Sequence, residues 1–527
     1  MKYRALLILG FLLVPAAYSQ VSRGDLSVQE LCRKARAELH DGNYAQARAT
    51  ATNAVKLNGG SAEAQCLLGE AEFALGNLPA AEEHLQKALG IDPALPEAHR
   101  VLGATFLRQR QFKAAQGQFE DVLKAHPDDF SCLYGLGMSL LGQNEPAQAL
   151  GQLVKAYQMN PSDSEVLTDI MGVHLKLGQS KQALADLAEL NRRFAQDYAA
   201  QMQVAEVLVH EGAYDLAASQ FKQLLKARPD SYELNYDLAL AYHRAGEEDQ
   251  AAAQLRKMLA QGDKAELENL LGSVEEKRGN YPQALMAFRR AAELAPKNEE
   301  YQLDFATEIA FHWNPIEAVK AFAAELKNFP NSAKLWMGLG GSYYLLAKYS
   351  DAVDSLLHAS RLAPGNPDVY ALLGLAYDAA GPRQKDIEKK FRDYIKTHPS
   401  DALAHYFYGK ILLDQSKGRA AGGLDQARRQ LDTAIGLNPS LVQAHLELAT
   451  LLRMRGDTQG ARSQLETAVK LDPKSSNAYY QLMQVYEKLG QRQEAEMALQ
   501  KFRQLKNASN QETGREQVIK ILGHDRQ

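Results

Sequence analysis

Residues 333–366 read AKLWMGLGGSYYLLAKYSDAVDSLLHASRLAPGN. Two helices are written in this stretch. In the first, Trp336, Leu339 and Tyr343 are large and Gly340 is small; in the second, Ala352 and Ala359 are small. A small residue on each helix lets the two axes approach, because a larger side chain at the crossing would push them apart. Pro364 then ends the second helix and pre-sets the connection to the next one.

The pattern extends in both directions. Ala47, Ala81, Ala115, Ala149, Ala183, Ala217 and Ala251 recur at one fixed interval, and Ala284, Ala318 and Ala352 continue the series. Ile387 interrupts it, and Ala427, Ala461 and Ala495 resume it. Leu68-Gly69, Leu102-Gly103, Leu136-Gly137, Leu271-Gly272 and Leu373-Gly374 keep the register of Leu339-Gly340. Phe119, Phe221, Phe288 and Phe322 lie one helical turn past their alanines, on the same face. Turns such as Gly76-Asn77 and Gly279-Asn280 separate the helices, with glycine closing the first of each pair. A spacing of about 34 residues is the mark of stacked helix pairs. The composition, 46% hydrophobic and 24% charged with 18 prolines in 527 residues, suits such an array. Arrays of this kind grow in one dimension without dividing into separate cores.

On these residues the chain resembles the tetratricopeptide repeat family. The resemblance implies an all-α fold: a right-handed superhelical α-solenoid of about fourteen helix-turn-helix repeats over residues 28–506. It also implies that the first helix of each repeat lines a concave groove that receives an extended peptide or a partner helix. Groove positions carried over in this way include Tyr236, Asn269, Phe311, Met337, Tyr344 and Tyr406. Aromatic and methionine side chains supply large contact area at binding surfaces. The competing reading is that they pack against the neighbouring helix. Some family members grip a chaperone's C-terminal carboxylate with paired Lys and Asn, and the matching positions, Arg100 with Ala104 or Met337 with Gly341, lack that pair.

The flanks carry their own signals. Met1-Lys2-Tyr3-Arg4 is a basic start, Ala5 to Ala17 is apolar, and Ala17 and Ser19 are small residues before Gln20. Residues 1–19 therefore read as a signal peptide, and the run is too short to span a bilayer comfortably. Residues 20–27 read as a linker and 507–527 as a tail, in which Arg515–Leu522 is an amphipathic helix capping the last apolar face. A partner-binding tail is the alternative. The segment Ser416–Gly423 lengthens one repeat as a loop. Cys32, Cys66 and Cys132 fall in first helices and read as packing residues.

Chemistry is excluded more readily than binding is specified. A net charge of −4 gives no reason to expect nucleic acid. Metal, phosphate-loop and nucleophile motifs do not occur, so no catalytic, metal or cofactor-binding residue and no cofactor is expected. Gly338, Gly340 and Gly341 read as helix-crossing residues, not a dinucleotide fingerprint. His405 and His445 occupy packing positions, and the adjacent Glu275-Glu276 pair reads as solvated. The expected function is a non-catalytic protein-interaction scaffold outside the cytoplasm, periplasmic or secreted, in envelope assembly or secretion. The partner is a protein or peptide, and the mature chain has no integral membrane segment. The alternative is a glycan-binding solenoid, with groove tyrosines stacking on sugar rings.

Overall fold

The computed structural model describes residues 23–416, 422–508, 518 and 520–522. The signal-peptide segment, residues 417–421 of the inserted loop and most of the tail lie outside the described residues. Among the described residues there are twenty-eight α-helices and no strand. They belong to two compact units that divide between Gly246 and Glu247.

The first unit holds α1 (Arg23–His40), α2 (Tyr44–Leu57), α3 (Ala62–Ala74), α4 (Leu78–Ile91), α5 (Pro96–Arg108), α6 (Phe112–Ala125) and α7 (Phe130–Gly142). It continues with α8 (Pro146–Met159), α9 (Ser164–Lys176), α10 (Ser180–Arg193), α11 (Tyr198–His210), α12 (Tyr214–Ala227) and α13 (Tyr232–Ala245). The second unit holds α14 (Glu248–Leu259), α15 (Ala265–Lys277), α16 (Tyr281–Leu294), α17 (Glu299–His312), α18 (Pro315–Glu325), α19 (Ala333–Leu345) and α20 (Tyr349–Leu362). It ends with α21 (Pro367–Ala376), α22 (Gln384–Thr397), α23 (Ala402–Ser416), α24 (Gly422–Leu437), α25 (Val442–Met454), α26 (Thr458–Leu471), α27 (Ser476–Lys488) and α28 (Arg492–Ala508). Odd-numbered helices are the first, and even-numbered the second, of each repeat. The fold is an all-α repeat solenoid.

The crossings follow the sequence pattern. Every marker alanine from Ala47 to Ala461 is at most 1% exposed. A Cβ placed on Gly340 would stand 2.7 Å from Leu356 Cγ and 3.1 Å from the Ala352 carbonyl oxygen. On Gly69 it would stand 2.6 Å from Leu85. The large residue one turn past each alanine therefore fills the hollow that the glycine leaves.

Side chains stitch successive repeats together. Trp336 Nε1 donates to the carbonyl of Pro330 at 2.9 Å, and the Tyr370 hydroxyl donates to that of Pro364 at 3.1 Å. His99, His405 and His445 reach the carbonyls of Pro93, Pro399 and Pro439 in the same way, at 2.9, 3.1 and 3.0 Å. A carbonyl only accepts, so each of these Nε2 atoms carries the proton. The histidines are thus satisfied packing residues that tie one repeat's end to the next helix. First helices also begin on capping side chains: Ser61, Asp129 and Ser332 accept from Ala64, Cys132 and Leu335 amides at 3.2, 2.9 and 3.1 Å.

The turn after most first helices holds a left-handed residue. Gly76 supplies it with φ 82°, but Ala347 occupies the equivalent place at φ 57°. A left-handed alanine costs about 1 kcal/mol relative to glycine. Ala347→Gly should therefore raise the thermal midpoint measured by circular dichroism, and an unchanged or lower midpoint would contradict this account of the turn.

The interruption at Ile387 has a local cause. α21 stops early, and the chain passes through two 3-10 turns, Tyr377–Ala379 and Gly381–Arg383, before α22. Ile387 is fully buried there. Other expectations change with the structure. α1 begins at Arg23, so the helix starts inside the stretch expected as a linker. α28 likewise runs on to Ala508. Glu275 is fully buried and not solvated: its carboxylate accepts from Arg256, from Arg278 Nη1 at 2.9 Å and from Asn280 Nδ2 at 2.8 Å. Cys32, Cys66 and Cys132 are free and buried, and burial pushes their thiols up to about 11, 12 and 12.

Candidate functional site

Successive first helices touch one another as well as their own second helices, as α17 does α19, α19 does α21, and α21 does α23. In the second unit their shared face is where four of the expected groove residues converge. Met337 on α19 and Tyr406 on α23 belong to one apolar cluster, with Phe311 on α17 and Tyr344 on α19 packed against it. Met337 and Tyr406 are buried, while Phe311 and Tyr344 are half-buried. Asn269 on α15 lies apart from that cluster and donates to Asp304 Oδ2 at 2.8 Å. Tyr236 belongs to the first unit, where it stacks on Tyr232 at 6.3 Å between ring centroids.

The face is covered. Val518 and Leu522 are buried members of the same cluster, and Ile521 packs against it. The described residues of this tail segment are helical. At that spacing Val518, Ile521 and Leu522 share one side, while Lys520 is exposed. A Cβ on Gly341 of α19 would lie 2.8 Å from Leu522 Cδ1 and 3.2 Å from Val518 Cγ1. The described part of the tail therefore docks into the groove at α19 instead of capping the solenoid's last face. Burying an aliphatic side chain fully gains about 1.5–3 kcal/mol, and here two are buried and a third is half-buried. Ordering the backbone and side chains of a segment this short costs about 1.5–2 kcal/mol per residue. The two are close, so the segment is held weakly.

Beyond Ile521 the groove opens into a cleft of 280 Å³ walled by Ala371, Leu375, Leu403, Tyr406 and Leu441, with Lys520 at its edge. Leu403 remains 39% exposed there. The described residues of the tail thus leave aliphatic surface uncovered. Neither Gly341 nor the tail stood among the expected groove residues. The available signal was the Val518-x-x-Ile521-Leu522 spacing together with a glycine at a groove position.

The corresponding face of the first unit is polar. The Tyr134 hydroxyl donates to Asp169 Oδ2 at 2.8 Å and lies 3.2 Å from Glu165 Oε1. Arg100 Nε donates to Asp129 Oδ2 at 2.8 Å. Burial pushes the Asp169 carboxyl up to about 6, and the charges of Glu165 and Asp163 add to this, against the pull of the Tyr134 hydrogen bond. A carboxyl raised in the folded state holds its proton more tightly than in the unfolded chain, so stability falls as pH rises from 3.8 to about 6 and levels off above that. Asp169→Asn should remove that dependence and stabilise the chain at pH 8 by about 1 kcal/mol. Melting curves at pH 5 and pH 8 check it; an unaltered pH dependence in the variant would assign the slope to other groups.

One further cluster escaped the sequence reading. Glu276, Glu308 and His312 bring their ligand atoms within 4.8 Å of one another. His312 Nε2 lies 3.8 Å from Glu276 Oε1, and its ring stacks on Tyr281 with centroids 3.7 Å apart. The residues come from α15 and α17, so no short motif announces them. Among the described residues no helix is long and apolar enough to cross a membrane.

The fold defines a class: an all-α repeat solenoid. The chain belongs to the tetratricopeptide repeat family, whose pattern matches residues 32–96, 101–164, 173–222, 314–381 and 419–476, with a second form of it at 208–274 and 452–504. The repeats support protein interaction in general. It is 26% identical over 203 residues to a "TPR repeat-containing protein" of Treponema pallidum (strain Nichols), covering 37% of this chain and 23% of that one. It is 25% identical over 201 residues to the human "Protein O-mannosyl-transferase TMTC1", covering 38% of this chain and 22% of that one. The chain's match thus spans less than a quarter of the length of these curated relatives. Among solved structures, yeast Tom70 aligns over 95% of this chain and 96% of its own, at 18% identity and a TM-score of 0.36. PilF of Pseudomonas aeruginosa aligns over 43% of this chain and 100% of its own, at 20% identity and a TM-score of 0.34.

Proposed function

We propose that the chain acts outside the cytoplasm as a non-catalytic scaffold, holding a partner protein against the first-helix face of its second unit. The observation that carries this reading is the convergence of Phe311, Met337, Tyr344 and Tyr406 on one apolar face that already holds a helical segment. Large apolar side chains around a groove suit a partner helix, which lays an apolar stripe into such a surface. The aromatic residues lining the adjoining cleft, Tyr406 and Phe407, are buried, while Leu403 on its wall is exposed, which favours a peptide over a sugar ring, since a sugar would need exposed aromatic faces. Export rests on residues 1–19 alone, with their basic start, apolar run and small residues before Gln20. Envelope assembly or secretion is the setting that export implies.

Two measurements test the reading. A photo-crosslinking residue at Leu403, on the cleft wall, should give one reproducible protein adduct in cells. The same residue at Met286, exposed on the second helix α16, should not. Equal yields at both positions would remove the groove from the account. On cell fractionation the protein should be recovered outside the cytoplasm with Gln20 as its first residue, and a chain confined to the cytoplasmic fraction with Met1 intact would sink the export reading.

A further inference from the structure

We propose that the groove running from α19 to α25 is a docking site for an amphipathic helix with aliphatic side chains at i, i+3 and i+4 beside a basic residue. This chain's own Val518, Lys520, Ile521 and Leu522 are its resident, displaceable occupant. The proposal deepens the scaffold reading and rests on it.

Three observations converge. The first is the set of glycines on α19. A Cβ on Gly338 would meet Phe322, and one on Gly340 would meet Leu356, so both are required by the solenoid's own crossings. The three atoms nearest a Cβ on Gly341 all belong to Val518 and Leu522. In a helix interior, alanine is favoured over glycine, and here the missing side chain makes room for the tail. Secondly, the groove is longer than the described part of its occupant. Ile521 lines the cleft that continues past it, with Leu375, Leu403 and Leu441 on the walls. A longer helix of the same pattern would cover surface that the described residues of the tail leave open.

The third observation is charge. Asp378, Asp414 and Glu447 all act on the Tyr406 hydroxyl, raising its hold on its proton after burial has done most of that work. Lys410 answers Asp378 at 2.7 Å, and Lys520 lines the same cleft as Tyr406. The surround is acidic, so the helix that fits carries a cation where Lys520 stands. A partner meeting these conditions replaces the tail by offering the same contacts over a greater length.

The test uses the full chain and a fluorescein-labelled peptide of residues 511–527, read by fluorescence anisotropy. The double variant Val518→Asp and Leu522→Asp frees the groove without altering the array. It should bind the peptide at least tenfold more tightly than the wild type, whose own tail competes. Adding Gly341→Gln should abolish that binding. If Gly341→Gln loses helicity, Leu403→Asp on the exposed cleft wall takes its place. Equal binding to wild type and double variant, or binding to neither, overturns the proposal. A wild-type dimer that the double variant dissolves assigns the segment to a second copy and overturns its occupancy in cis. Peptide binding without any partner adduct in cells leaves the docking site standing and removes the scaffold reading. Partner capture indifferent to Gly341→Gln and to the tail substitutions does the reverse.

Discussion

Phe119→Ala is expected to destabilise the first unit by about 3–5 kcal/mol, as large-to-small changes of buried aromatics do. Phe119, on α6, is 3% exposed. Its ring lies between two glycines on successive first helices. A Cβ on Gly103 of α5 would stand 2.7 Å from it, and one on Gly135 of α7 would stand 2.5 Å from it. One side chain therefore fills the crossing within its own repeat and the joint with the next. Truncation empties a space bounded by residues with no side chain to collapse into it, which places the cost at the upper end of the range. In a solenoid each repeat leans on its neighbours, so the loss extends to the interface with the following pair. Urea titration followed at 222 nm measures it, and hydrogen exchange should quicken in α5 to α7. A loss under about 1 kcal/mol would mean that the helices close the gap by sliding together.

Glu275→Ala should destabilise the second unit by about 2–4 kcal/mol, since it removes a buried acceptor shared by charged donors. The carboxylate binds Arg256 on α14, and Arg278 and Asn280 in the turn that opens α16. It joins two successive repeats and fixes the turn between α15 and α16. Arg256 and Arg278 retain exposed surface and regain water after the truncation, which keeps the cost below that of a wholly buried pair. Glu275→Gln preserves the shape and can still accept from Asn280, so it should lie between wild type and Ala. A double-mutant cycle with Arg278→Ala reads the coupling directly. A coupling near zero would show that the carboxylate is replaceable by packing alone.

The sequence was read correctly wherever the deciding neighbour lies at a fixed distance along the chain. Ala352 and Gly340 are tied to each other by the period, and the packing role of His445 follows from its place at the start of a first helix. Glu275 was misjudged because adjacency to Glu276 says only that the two point apart. Whether one of them points inward depends on Arg256, which belongs to the previous repeat. The Glu276, Glu308 and His312 cluster was hidden for the same reason, as its members come from two first helices.

The three glycines of α19 divide what each level of description decides. For Gly338 and Gly340 the repeat pattern alone named the cause, because the large residues they face, Phe322 and Leu356, recur in register with them. For Gly341 it named the wrong one. Its partner is Leu522, in a segment outside the period, and only the folded chain brings the two together. The array is specified locally: helix crossings, caps and turns repeat every unit, so sequence spacing encodes them. The groove's occupancy depends on one non-local contact between a repeat and the tail, a small balance of apolar burial against ordering that no spacing rule records.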